Sequence, residues 1–177
     1  MSEHNTSLNR HLYRLDELND FEVAEGDPDV RGWSVIGSDG KAFGTVDDLI
    51  VDPKLMRVRY LDILAKEELA WGGGDRHLLI PIGVAQLHED SDKVVVDGVD
   101  VATLRRFPVY TGGPVVRDYE HSLRDTIAPG RSASSQSEED YYKDSMYDEN
   151  RFYGARRTRR GMPNPPEDGY FVFRRKG

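Results

Sequence analysis

Two aspartates flank a proline in Asp27-Pro28-Asp29, and Arg31, Gly32 and Trp33 follow. Carboxylates this close are raw material for a metal or acid–base site. They are equally the start of a turn, because an aspartate side chain bonds backbone two residues on. No histidine or second acid cluster stands beside them at ligand spacing, so the stretch reads as the entry to a strand. Gly32 suits a close backbone approach, and Arg31 can neutralise one aspartate. The carboxylate with the sharper prospect is Asp62, in Arg59-Tyr60-Leu61-Asp62-Ile63. Strand alternation puts Val58, Tyr60 and Asp62 on one face and Arg57, Arg59, Leu61 and Ile63 on the other. An acid sharing a face with valine and tyrosine is expected to be partly buried, which raises its pKa and suits proton uptake or relay. The alternative is a surface carboxylate paired with a basic neighbour across the sheet.

Elsewhere the residue types do not converge. His4, His11, His77, His88 and His121 are scattered, and none forms a His-x-x-x-His or His-Glu-x-x-His pair. His88-Glu89-Asp90 is dense but sits at a turn. Asp47, Asp48 and Asp52 lack the spacing of a calcium loop. There is no Gly-x-Ser-x-Gly elbow and no cysteine, so no local nucleophile–base pair is visible. Gly72-Gly73-Gly74 precedes Asp75 and a strand, where a phosphate cradle needs a helix. The expectation is a non-enzymatic chain with no catalytic residue, metal or cofactor. One dense cationic patch remains, Arg156, Arg157, Arg159 and Arg160 beside Phe152 and Tyr153. It could touch RNA or an anionic membrane, or pair with the acidic block just upstream.

The elements that would hold these residues are short strands. Residues 33–37, 43–51, 56–64, 77–82, 83–88 and 93–97 carry β-branched or apolar runs. Asp39-Gly40 and Asp52-Pro53 supply turn chemistry between them. Pro81 cannot donate to a ladder and belongs at a strand end or edge. Asp100 is a fitting N-cap for a short helix that stops before Pro108. Six strands at this spacing predict a mainly β fold, a small antiparallel barrel or sandwich. Leu12, Leu15 and Leu18 predict a short helix or turn in the lead-in, and 115–124 could add a further helical turn.

Organisation follows from composition. Apolar residues make up 37%, below a typical globular share, so part of the chain is expected not to pack. The divisions are a lead-in at 1–26, a β domain at 27–110, a short extension at 111–128 and a tail at 129–177. The tail, with charge blocks and interleaved tyrosines, is expected to be largely irregular or disordered, and 169–174 has strand propensity without a mate nearby. The net charge of −8 argues against nucleic acid as the main partner. No secretory leader is recognisable and no apolar run of about 18 residues could span a bilayer. The absence of cysteine is compatible with a reducing cytoplasm.

Several stretches in this order resemble the PRC-barrel family, closest to the cytoplasmic domain of photosynthetic reaction-centre H subunits. They are residues 27–33 (DPDVRGW), 39–46 (DGKAFGTV), 48–52 (DLIVD), 58–62 (VRYLD) and 79–83 (LIPIG). Within them Asp27, Pro28, Arg31, Gly32, Gly40, Gly44, Asp52, Arg59, Tyr60, Pro81 and Gly83 are the signature positions. The resemblance implies a six-stranded antiparallel β-barrel with a short helix, used for assembly and interaction. It implies a protein partner or self-association, and an accessory role in light-driven electron transport with Asp62 as the proton-handling carboxylate. No stretch of this sequence matches the membrane helix of those subunits. A cytoplasmic location, peripheral to the inner membrane, is therefore expected. The alternative is an RNA- or ribosome-associated accessory acting through the arginine-rich tail.

Overall fold

A computed structural model describes residues 12–69, 75–88, 90–129, 138–159, 161 and 172–176. The described residues start with β1 (Tyr13–Arg14), a 3-10 turn over Leu15–Glu17, and β2 (Phe21–Val23). β3 (Ser34–Ile36), β4 (Ala42–Asp52), β5 (Arg57–Ala65), β6 (His77–Pro81), β7 (Ala85–Leu87) and β8 (Lys93–Val96) follow. The α-helices among the described residues come next, α1 (Val101–Leu104), α2 (Arg117–Ile127), α3 (Glu138–Tyr141) and α4 (Glu149–Arg159). The last element is β9 (Phe173–Arg175). Among the described residues no helix is long and apolar enough to cross a membrane.

Turn chemistry sets the hairpins. Between β3 and β4, Gly40 takes a φ of 78°, which a side chain resists, and Asp39 accepts the Lys41 N–H at 3.0 Å. Between β4 and β5, Asp52 accepts the N–H groups of Lys54 and Leu55 at 2.9 and 3.1 Å. Asp100 caps α1 by accepting the Thr103 N–H at 2.8 Å.

The mainly β expectation holds, and all six expected strands form. The barrel does not take the expected form. One sheet of seven strands runs β6-β5-β4-β3-β8-β7, with β1 added on β4, and this open path is not a closed ring. It is mixed rather than antiparallel, because β8 lies parallel to β3 with Val94 opposite Val35. The seventh strand exists because β4 is 11 residues long. Its first residues pair with β3, whereas Ile50 and Val51 pair with Arg14 and Tyr13 of β1. The lead-in therefore contributes a strand as well as a turn, and Leu12 and Leu15 are buried.

The expectation of a largely irregular tail is corrected over residues 138–159. Tyr141, Tyr142, Met146, Tyr147, Phe152 and Tyr153 join the same core as the sheet residues Leu49, Ile50 and Leu61. Average composition hid this, because the tail's charges are partnered on the fold itself. Arg124 of α2 pairs with Asp144 at 2.8 Å, and Arg156 meets Asp92 at 3.2 Å. The strand read near the C-terminus has a distant mate, since β9 pairs antiparallel with β2, Val23 opposite Phe173. The Gly72-Gly73-Gly74 loop and residues 130–137 lie outside the described residues.

Candidate functional site

Asp62 sits in the middle of β5, and its side chain is fully buried. The neighbouring strand delivers more acid to the same place. The β4–β5 register runs Val46 opposite Ile63, then Asp48 opposite Asp62, so Asp47 is the extra residue of a β-bulge. The bulge presents two successive aspartates to one region. Like charges directly opposite across a sheet repel. Arg14 of β1 resolves the conflict by reaching into the cluster. Its guanidinium bonds Asp62 Oδ2 and Asp47 Oδ2, the latter at 2.7 Å, and stands 3.5 Å from Asp48. From the other flank, His77 of β6 lies diagonal to Asp62, with Nδ1 2.9 Å from Asp62 Oδ1. Arg31 adds a longer contact to Asp48 at 3.8 Å.

Burial pushes the Asp62 carboxyl above its ordinary value, while His77 and Arg14 pull the other way. Burial together with the neighbouring Asp16 carboxyl pushes Asp48 up to about 7. Asp48 also accepts the backbone N–H groups of Leu49 at 2.8 Å and Asp16 at 3.2 Å. The cluster thus brings carboxylate oxygens and an imidazole nitrogen within bonding reach of one another. One oxygen each from Asp47 and Asp62 and one nitrogen from His77 lie within 4.8 Å of one another. Asp62 was legible from face-sharing on one strand. Arg14, Asp47, Asp48 and His77 come from three other strands, and the adjacent pair Asp47-Asp48 inside a strand run was the one local signal of the bulge.

The opening motif divides its two acids. Asp29 pairs with Arg31 at 2.6 Å; partial burial opposes ionisation there, but the arginine holds the carboxyl below its ordinary value. Asp27 is buried and receives Arg157 Nε and Nη2 at 3.1 and 2.9 Å, from 130 positions away. Pro28 follows Asp27 within this entry turn, and Gly32 takes a φ of 93°. Trp33 is half-buried against the core with Arg156 stacked 4.9 Å over its ring. Two of the four tail arginines are therefore engaged by the domain; the side chains of Arg159 and Arg160 lie outside the described ones. Of the remaining signature positions, Gly44 lies against the Leu64 backbone, and Arg59 is buried over the Tyr142 ring at 4.3 Å. Pro81 ends β6 opposite Tyr60.

A second polar group was not foreseen. The Tyr60 hydroxyl donates to Glu120 of α2 at 2.6 Å and lies 2.9 Å from the Tyr147 hydroxyl, and Tyr142 donates to the same carboxylate at 2.8 Å. This network joins the sheet to α2 and to the segment between α3 and α4. Close by, half-buried Glu149 accepts the Val58 N–H at 2.8 Å. Burial pushes Glu149 up to about 7, against its backbone bond and nearby arginines. The folded chain then holds a proton on Glu149 that the unfolded chain releases near pH 4.5. Its contribution to stability is present below that value and is lost as pH rises through about 7, by about 2 kcal/mol after allowance for partial exposure. Glu149→Gln should flatten this dependence, seen as a smaller difference in urea midpoint between about pH 5 and pH 8 than in the parent. An unchanged difference would assign the slope to other groups.

Residues 22–102 match the PRC-barrel domain family. The match runs from within β2 to the first half of α1 and contains Asp27, Asp47, Asp48, Asp62 and His77. Arg14, Glu120, Arg157 and β9 lie outside it, on segments that wrap the matched stretch.

Proposed function

We propose, with a PRC-barrel domain at residues 22–102 as the premise, that the chain is a non-enzymatic module for protein interaction and assembly. The observation that carries this reading is segment capture. The domain already takes β1 onto β4, β9 onto β2 and α4 through the buried Asp27–Arg157 pair. These are the same devices by which sheet proteins recognise other chains: strand addition for affinity, anchored side chains for specificity. Its charged clusters serve such joints: Arg14 ties β1 to Asp47 and Asp62, and Glu120 ties α2 to Tyr60.

In its finer form the proposal places the module in the cytoplasm, docked peripherally on a membrane electron-transfer complex, as the sequence likeness to reaction-centre H subunits suggests. The Asp62–His77 contact supports that version, because a buried carboxylate beside a half-exposed imidazole suits proton exchange. The nucleic-acid alternative is less favoured, since Arg156 and Arg157 are held by Asp92 and Asp27.

Cross-linking in membrane and soluble fractions of the native host, followed by reconstitution with the purified partner, tests the proposal. The expected result is a complex of fixed stoichiometry by light scattering that survives Asp62→Asn. A reproducible hydrolytic or transfer activity lost in Asp62→Asn would overturn the non-enzymatic reading. A chain that stays monomeric and cross-links to nothing in either fraction would overturn the assembly reading.

A further inference from the structure

The acid–imidazole cluster has the donor set of a metal centre, and we propose that Asp47, Asp62 and His77 bind a divalent cation of the zinc class through Asp47 Oδ2, Asp62 Oδ1 and His77 Nδ1. The local spacing of the histidines gave no hint of it, because the three donors come from three adjacent strands. Nδ1 lies 2.9 Å from Asp62 Oδ1 and 3.9 Å from Asp47 Oδ2. Donors about 2.0–2.2 Å from a zinc-class ion stand roughly 3 to 3.5 Å apart, so Asp47, whose oxygen lies within 4.8 Å of the other two donors, has to move inward to complete the set. One imidazole nitrogen with two carboxylate oxygens suits zinc, cobalt or manganese better than calcium, which takes oxygen donors in larger number.

The surroundings fit as well. Asp62 would use the oxygen that faces His77, leaving Oδ2 bonded to Arg14, as ligating carboxylates usually keep a second partner. Asp47 and His77 are partly exposed, which gives an entry path and leaves coordination positions open to water. Arg14 is the built-in competitor. It holds Asp47 Oδ2 at 2.7 Å, and the ion would have to displace that one contact. An ion-pair cluster and a metal site therefore make opposite forecasts for Arg14.

Titration calorimetry of the full chain with zinc chloride, and the visible absorption of added cobalt, read the site directly. The expected result is one ion per chain, with affinity reduced at least about tenfold in Asp47→Asn and in His77→Ala. Arg14→Ala should bind more tightly than the parent, with folding checked by circular dichroism. If Arg14→Ala does not fold, Asp47→Asn at its partly exposed position still decides the matter. Absence of binding by the parent overturns the proposal. So does binding that is unchanged in both ligand variants, or weakened in a folded Arg14→Ala.

Discussion

Gly83→Ala is expected to destabilise the protein by about 3 kcal/mol, near the upper end for overpacking, because the obstruction is backbone rather than a movable side chain. Gly83 lies in the 3-10 turn between β6 and β7. A Cβ there would overlap the Ser145 carbonyl oxygen and come within 2.8 Å of the Met146 carbonyl carbon and 3.0 Å of the Asp148 nitrogen. The segment joining α3 to α4 packs on this turn and cannot retreat without withdrawing Met146 and Tyr147 from the core. Urea unfolding supplies the magnitude. Limited proteolysis supplies the location, since cleavage should appear first within residues 138–159. Gly113→Ala is the control: nothing stands within 4 Å of its added methyl, and it should be close to neutral. A Gly83→Ala protein as stable as that control would show that the tail does not pack on this turn.

The second large effect falls on the Asp27–Arg157 pair. Both side chains are almost completely buried, and Arg157 also bonds Asn150 Oδ1 at 2.9 Å and stacks 5.2 Å over Tyr153. Removing one member of a buried pair strands the other charge, at a cost of about 3–5 kcal/mol. Arg157→Met and Asp27→Asn should each lose that much. The double variant should lose about 2 kcal/mol less than the sum, the coupling read from a double-mutant cycle by urea unfolding. Additive losses would mean that the two residues stabilise the fold through separate contacts.

How much of this was readable beforehand depends on whether the cause was local. The strands from β3 to β8 were readable because alternation and Asp-Gly or Asp-Pro turns are local properties. Asp62's burial was readable because Tyr60, two residues before it, shares its face; the alternation with Val58 is broken by a second register shift, which sets Tyr60 opposite Ile50 and Val58 opposite Val51. The parallel pairing of β3 with β8 was not, since it depends on how four intervening strands fold back. The bulge at Asp47 shifts register by one residue, and strict alternation cannot announce its own interruption. The tail failed for another reason. Arg157 looks like part of a solvated cationic block until Asp27 is brought beside it, and Tyr141, Tyr142 and Tyr147 look like scattered aromatics until Tyr60 and Glu120 gather them. An opening aspartate that read as the entry to a strand proves to be that, and also the anchor for a helix far along the chain.

The β2–β9 ladder has a consequence for how the molecule is made. Phe21 is paired with Arg175, so β2 must wait for a partner strand synthesised roughly 150 residues after it. At about 5–20 residues per second, β2 stays without its partner for on the order of ten seconds. The entropic cost of closing so long a loop grows only logarithmically with its length, so the delay lies in production rather than in the final search. During that interval Phe21 and Val23 stand on a strand edge without β9, and any extended segment of a chaperone or of a second copy competes for the same edge.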